Sequence, residues 1–510
     1  MSNRFDFGGV NLRASEESAV ARPTSETPFC IAIVGDFSGR AHRGRTEPKT
    51  IGERRPYLVD RDNFDEVFSK LHPELHLPAG DKIPLVFRFS ELDDFHPDRL
   101  FENEAFQKLK SLRERLRDSS SFKEVAEQLG LFRPAPTSAP VKESGGVAEP
   151  SPVRLASGSL LDEMIEQTES RISLEPARKT DEVHEFARQL AAKYSVSAPD
   201  PRQPDVVAAV DRAIGDAMRV LLHHPDFQAL EAIWRATFLL VRQIETGPRL
   251  KIYLIDISKQ ELAADLKASE DFRKSGIFRL LVEKAIDTPG ADPWTVIVGN
   301  FGFGSEIEDT ELLTKLAAVA QRAGAAFLGE ADPSLLGCAS LEAAPHPRYW
   351  NESKTRDSWK QVRMRPESAS VALALPRFLL RLPYGRETSP LESFEFEEFS
   401  GSPSHGGYLW GNPAFAVALL LGQSFNEAGW EMQPGSLSQI ENLPLHTYRV
   451  DGDSQSKPCA EVLLTEEAVE GILDRGLIPL ISYKARDSAR VGRFQSIAEP
   501  QRPLAGRWQA

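Results

Sequence analysis

Ile31–Arg40 reads IAIVGDFSGR, and the fold turns on how that run is taken. Phe29–Val34 is short, apolar and rich in β-branched residues, which predicts a strand ending at Gly35. A glycine turn follows, with Arg40, Arg43, Arg45, Arg54 and Arg55 close behind it. A strand, a Gly-rich turn and arginines invite a phosphate-binding reading. The run lacks the Lys-Ser/Thr pair of a P-loop, and no helix start follows at once. The plainer reading is a tight turn whose glycines serve backbone shape. A soluble enzyme that binds a phosphate or nucleotide through VGDFSGR therefore stands only as a second reading.

Working outward, residues 1–27 are polar and are expected to be a flexible arm. Residues 28–132 read as a small α+β unit, with a helix over Arg61–Leu71, a strand over Lys82–Phe89 and helical composition from Asp98 to Leu131. Residues 133–158 turn to Pro, Ala, Ser and Gly, a linker composition. Ser159–Thr168 reads as an isolated amphipathic helix capped by Ser159, with Leu160, Leu161, Met164 and Ile165 on one face. It has no evident core of its own to join, so it reads as a docking element. Residues 159–203 form this helix and a connector, 204–499 a larger unit, and 500–510 a tail.

In the larger unit, Pro204–Glu245 is helical and breaks at His224–Pro225. The second helix places Phe227, Leu230, Ile233, Trp234 and Phe238 on its buried side. Strands are expected at Lys251–Ile257, Thr295–Val298 and Ala325–Leu328, and helices at Lys259–Leu266, Ile277–Ala285 and Thr310–Arg322. That alternation argues for an α/β layer with parallel pairing. A helix is expected over Asn412–Leu421, then strands at Glu461–Leu464 and Ile478–Tyr483 flanking another.

The 510 residues exceed one core and suggest about three or four units. A net charge of -14 speaks against a general nucleic-acid binder. Cys30, Cys338 and Cys459 are too scattered for a disulfide framework, which fits a reducing compartment. The N-terminus has no apolar signal core. The apolar run Ala414–Leu421 falls short of the ~20 residues that span a bilayer. The expected location is cytoplasmic.

No catalytic, cofactor or metal residue is assigned. Gly299, Gly302 and Gly304 do not give the GxGxxG order. Asp93, Asp94, His96 and Asp98 read as caps and turns, and His223–His224 as a cap or core pair. Glu392–Glu398 alternates with Phe394 and Phe396 as a strand with one solvated face does.

IAIVGDFSGR, with DRDNFDEVFSKLHPEL and ELDDFHPD from Asp60–Asp98, resembles the small subunit of the type VI secretion contractile sheath. HHPDFQALEAIWR (His223–Arg235), PRFLLRLPYG (Pro376–Gly385) and YLWGNPAF (Tyr408–Phe415) resemble the large subunit. The chain departs from that pattern at Ala236, where glycine is usual, and at Asn300-Phe301, where Asp-Tyr is usual. The resemblance implies both sheath subunits in one non-enzymatic polypeptide. It implies a phage tail-like sheath fold with strands shared between protomers, and self-assembly around an inner tube of hexameric rings on a baseplate. Leu160, Leu161, Met164 and Ile165 resemble the helix that a Clp-type AAA+ unfoldase recognises, here behind a linker and not near a free N-terminus. Arg40, Arg43, Arg45, Arg486, Arg490 and Arg493 are the candidates for contacts with neighbours or the tube.

Overall fold

The computed structural model describes residues 5–7, 10–12, 23–79, 82–129, 200–286, 291–351 and 357–509. The linker and the expected helix Ser159–Thr168 lie outside the described residues. Near the start, β1 (Phe5–Phe7) and β2 (Val10–Leu12) pair antiparallel.

The central element is a mixed nine-stranded sheet. Its strands are β3 (Phe29–Gly35), β4 (Tyr57–Val59), β7 (Leu250–Asp256), β8 (Trp294–Phe303), β9 (Ala326–Ala331), β10 (Val371–Leu375), β13 (Gln439–Ile440), β16 (Ile478–Ser482) and β17 (Ala489–Val491). Their order is β13-β17-β16-β10-β9-β8-β3-β7-β4. From β7 to β16 the neighbours run parallel; β4, β17 and β13 add antiparallel partners at the two ends.

The small N-terminal stretch thus sends a strand into the middle of the large one. Phe29–Gly35 pairs residue for residue with Leu250–Asp256, and its other edge pairs with β8. All seven residues of β3 are buried. A continuous apolar run without polar alternation suits a strand covered on both faces, as parallel sheets are.

Alternate β3 side chains serve two cores. Ile31 and Ile33 join the core beneath α6 (Pro225–Gln243) and α10 (Pro413–Ala428). Cys30, Ala32 and Val34 join the core under α7 (Lys259–Lys267), the helical segment 276–286 and α8 (Ile307–Ala323). The N-terminal stretch supplies α1 (Phe64–Leu71), α2 (Pro97–Phe101), α3 (Glu104–Arg117) and α4 (Phe122–Gln128) to the first core. It also supplies the hairpin of β5 (Glu74–Ala79) and β6 (Lys82–Arg88). The helix α5 (Gln203–Leu222) runs into α6 through the break at His224–Pro225, where His224 Nδ1 caps the Asp226 amide.

Several expectations need correction. The helix expected from Arg61 starts at Phe64, because the Asp60 carboxylate turns the chain by accepting from the Asp62 and Asn63 amides. The segment expected as a helix over Ile277–Ala285 has a π-helical turn at Arg279–Glu283. Glu461–Leu464 is no strand, and Ala460 makes only an isolated bridge with Phe378. Glu392–Glu398 has no ladder partner, although Phe394, Phe396 and Glu398 are buried and Glu395 and Glu397 exposed. Its period of two is that of an extended chain held by buried side chains and by scattered backbone bonds, such as Glu398 N–H to the Tyr384 carbonyl at 2.8 Å, without a sheet partner. Val371–Leu375 went unanticipated because five apolar residues carry no period; its place in the sheet makes it strand. Near the end, Arg507 is buried and donates to the Trp294 and Ala323 carbonyls.

Candidate interaction site

The sequence blocks that stand far apart in the chain meet along one seam. Trp234, on the buried stripe of α6, donates from Nε1 to the Phe37 carbonyl at 2.9 Å, inside the VGDFSG turn. Its ring lies 5.1 Å from Phe37, 5.8 Å from Phe64 and 4.2 Å from Phe68. Phe95, from DDFHPD, sits 5.7 Å from Phe227, from HHPDF. Aromatic packing supplies most of the attraction, at roughly 1.5–3 kcal/mol per fully buried side chain.

Glycine has two separate uses in the turn. A Cβ on Gly35 would lie 2.4 Å from Ile233 Cδ1, so α6 rests directly on that backbone. Gly39 has φ +74, and a Cβ there would meet the Glu74 carbonyl at 2.3 Å.

Carboxylates of the chain itself fill the turn. The Phe37 and Ser38 amides and the Ser38 hydroxyl donate to Asp256, at the end of β7. The Arg40 and Ala41 amides donate to Asp36 at 2.6 and 2.8 Å. The Arg40 guanidinium pairs with Glu261 at 2.9 Å and Glu47 at 2.8 Å, and Arg54 reaches Glu261 at 2.7 Å. These groups are what a phosphate would need, and each faces an internal anion. The observation weighs against the phosphate-binding reading of VGDFSGR.

Electrostatics divides these carboxyls. Burial, with the Asp36 carboxylate beside it, pushes the Asp256 carboxyl up to about 6. Glu261 is fully enclosed, and burial alone would raise it. Hydrogen bonds from Arg54 and Arg40 outweigh that and hold it at about 2. Glu261 is also the third residue of α7, in a capping box with Ser258. The helix start is therefore pinned by the same carboxylate that clasps the N-terminal loop.

A second joint lies along α3 and α5. The Asp98 carboxylate accepts from the Glu392 and Ser393 amides, each at 3.0 Å. Arg113 pairs with Asp211 at 2.6 Å and donates to the Ser393 carbonyl at 3.0 Å. Asp98, expected only to cap and turn, thus holds the 392–398 segment in place.

Behind that segment is a buried charge network. Arg381 Nε donates to Glu231 at 2.9 Å, and its Nη1 and Nη2 grip Glu398 at 2.8 and 3.1 Å. The Tyr384 amide donates to Glu398 at 2.7 Å. Arg235 pairs with Glu231 at 2.7 Å and donates to the Tyr384 hydroxyl at 3.2 Å. Burial would raise Glu398; Arg381 and His223 hold it down to about 2. The network draws on three of the blocks: HHPDFQALEAIWR, PRFLLRLPYG and the acidic stretch after them. Its members went unassigned in the sequence. The signal was present for Glu231, which shares the i, i+3, i+4, i+7 stripe with Phe227, Leu230 and Trp234.

The six flagged arginines divide. Arg40 and Arg43 are engaged inside the chain, Arg43 with Glu74 at 3.3 Å. Arg45, Arg486, Arg490 and Arg493 are exposed. Leu160, Leu161, Met164 and Ile165 lie outside the described residues. Among the described residues, no group of three His, Cys, Asp or Glu is arranged to hold a metal ion. No described helix is long and apolar enough to cross a membrane.

The fold and its seam define a mixed α/β chain whose two regions complete one sheet. Residues 9–128 match the family model described as "Type VI secretion system, VipA, VC_A0107 or Hcp2". Residues 204–498 match VipB, "EvpB/VC_A0108, tail sheath N-terminal domain". The chain is 30% identical over 373 residues to the type VI secretion system sheath protein TssC1 of Pseudomonas aeruginosa, covering 69% of this chain and 75% of that one. The chain belongs to the type VI secretion sheath family, with a small-subunit-like and a large-subunit-like region fused in one polypeptide.

Proposed function

We propose that this polypeptide is a protomer of a contractile sheath carrying both sheath regions, working in the cytoplasm without catalysis of its own. Copies polymerise as a helical tube around an inner tube of hexameric rings, seated on a baseplate, and share strands between neighbours. Contraction runs downhill from a metastable extended state and drives the tube and its effectors outward. Residues 28–132 and 204–499 act as the two sheath regions, and 133–158 as the linker that joins them.

The observation that supports this most is the place of β3, hydrogen-bonded between β7 and β8. Two regions that complete one sheet act as one mechanical unit, and fusion holds them at equal stoichiometry. The exposed Arg45, Arg486, Arg490 and Arg493 are the better tube or neighbour contacts, since Arg40 closes the seam and Arg43 is engaged by Glu74 within the N-terminal region. Leu160, Leu161, Met164 and Ile165 are read as the anchors for a Clp-type unfoldase.

Negative-stain electron microscopy of the chain co-expressed with an inner-tube protein tests the reading. Long tubes with a ridged outer edge are expected. Monodisperse particles at every salt and pH tried would overturn it.

A further inference from the structure

An open groove of about 660 Å³ runs beside α6 and borders the seam, where Phe238 lies 5.1 Å from Phe64. One wall is Arg235, Phe238, Leu239 and Arg242, a single helix stripe at i, i+3, i+4 and i+7. Leu380 and Leu443 face it from the other side. Its lining holds two arginines, the amides of Gln243, Gln423 and Asn442, and apolar side chains, but no carboxylate. Arg235 is already engaged by Glu231, whereas the exposed Arg242 leans over the Phe238 ring at 5.4 Å. An apolar strip edged by one exposed cation, Arg242, suits an amphipathic, acidic helix.

The chain contains such a segment. Ser159–Thr168 (SLLDEMIEQT) carries Leu160, Leu161, Met164 and Ile165, three carboxylates (Asp162, Glu163, Glu166) and no Lys or Arg. It is tethered by residues 130–158 on one side and 169–199 on the other. Either tether spans about 100 Å when extended, more than the ~50–60 Å width of a fold of this size. Tethering also places the segment at an effective concentration near millimolar, enough for a weak site to fill.

We propose that, in the free protomer, Ser159–Thr168 seats its apolar face in the α6 groove of its own chain, with its carboxylates toward Arg242. The groove is then a resting site that withholds this segment from other partners. The claim concerns the protomer alone and stands or falls independently of whether it polymerises.

Cross-linking of the dilute, monodisperse full chain tests it. In a Cys338→Ser background, Gln243→Cys is combined with Ser159→Cys or Thr168→Cys and treated with a short bismaleimide. Val220→Cys, on an exposed part of α5, replaces Gln243→Cys as the control. The intramolecular product is expected on the order of tenfold faster with Gln243→Cys than with the control. Leu161→Asp with Met164→Asp, in a segment outside the described core, is expected to erase that preference. Arg242→Glu is expected to weaken it, and Glu163→Arg added to Arg242→Glu to restore part of it. Equal rates for Gln243→Cys and Val220→Cys would overturn the proposal. So would a preference that survives Leu161→Asp with Met164→Asp, or a product that is mainly intermolecular and grows with concentration.

Discussion

The Arg381 network and the Arg40 cluster use the same chemistry in different surroundings. Arg381, Glu231 and Glu398 lie inside one region, the two carboxylates fully enclosed and the arginine side chain 8% exposed. Arg40 joins the two regions at the rim of the sheet, with 12% of its side chain exposed and Arg54 sharing the same Glu261. The first is a dependency at Glu398, which would be a buried charge without Arg381, whereas Glu231 keeps Arg235. The second is a redundant clasp. A pair that must hold a core together and a pair that closes a seam should therefore fail by different amounts.

The largest effect should come from the core network. Arg381→Ala leaves Glu398 without its arginine, while Arg235 still pairs with Glu231, and should cost on the order of 3–5 kcal/mol in urea unfolding. A loss under about 1 kcal/mol would erase the contrast. Next, Trp234→Phe keeps the aromatic packing but leaves the buried Phe37 carbonyl without its donor. About 1–3 kcal/mol is expected, read the same way. Arg40→Ala should cost less, about 1–2 kcal/mol, because Arg54 still reaches Glu261. The double variant Arg40→Ala, Arg54→Ala should lose more than the two singles summed; strict additivity would mean that the two arginines do not share the load.

The rim also holds two carboxyls of opposite pH signature, Asp256 raised and Glu261 lowered. Asp256 sits at about 6 against a usual 3.8, so the folded state holds its proton more tightly. Stability from this group is full below pH 4 and declines as pH rises through 6. Between pH 5 and 7.5 it should fall by about 1 kcal/mol, and Asp256→Asn should flatten that slope. Glu330, raised by burial to about 7, extends the decline. Glu261 and Glu398 act the other way: held at about 2, they add stability above pH 4.5 and lose it as pH falls toward 2. A profile that rises steadily from pH 5 to 7.5 would break this assignment. The smallest effect belongs to exposed Arg45, where Arg45→Ala should move stability by less than about 0.5 kcal/mol.

Much of the fold was legible because it rests on local signals. The apolar run Phe29–Val34, the His224–Pro225 break and the stripe Phe227–Trp234 each announce their element without help from distant residues. The candidate site was less legible. Arg40 and Arg43 were taken for surface contacts because a sequence shows charge and not its partner, and Glu261 lies 221 residues away from Arg40. Arg381 sat unremarked in an apolar block, since nothing local says that Glu231 and Glu398 converge on it.

By itself the sequence determined the periodicities, the breaks and the motif blocks, hence a small α+β region and a larger α/β region, each resembling a sheath subunit, with a linker composition between them. Only the tertiary structure decided that the first region's strand lies inside the second region's sheet and that the turn's amides and arginines are already satisfied. Periodicity reports which face of an element is buried. It carries no record of which distant strand or carboxylate buries it, because that choice is made by pairing and packing across hundreds of residues.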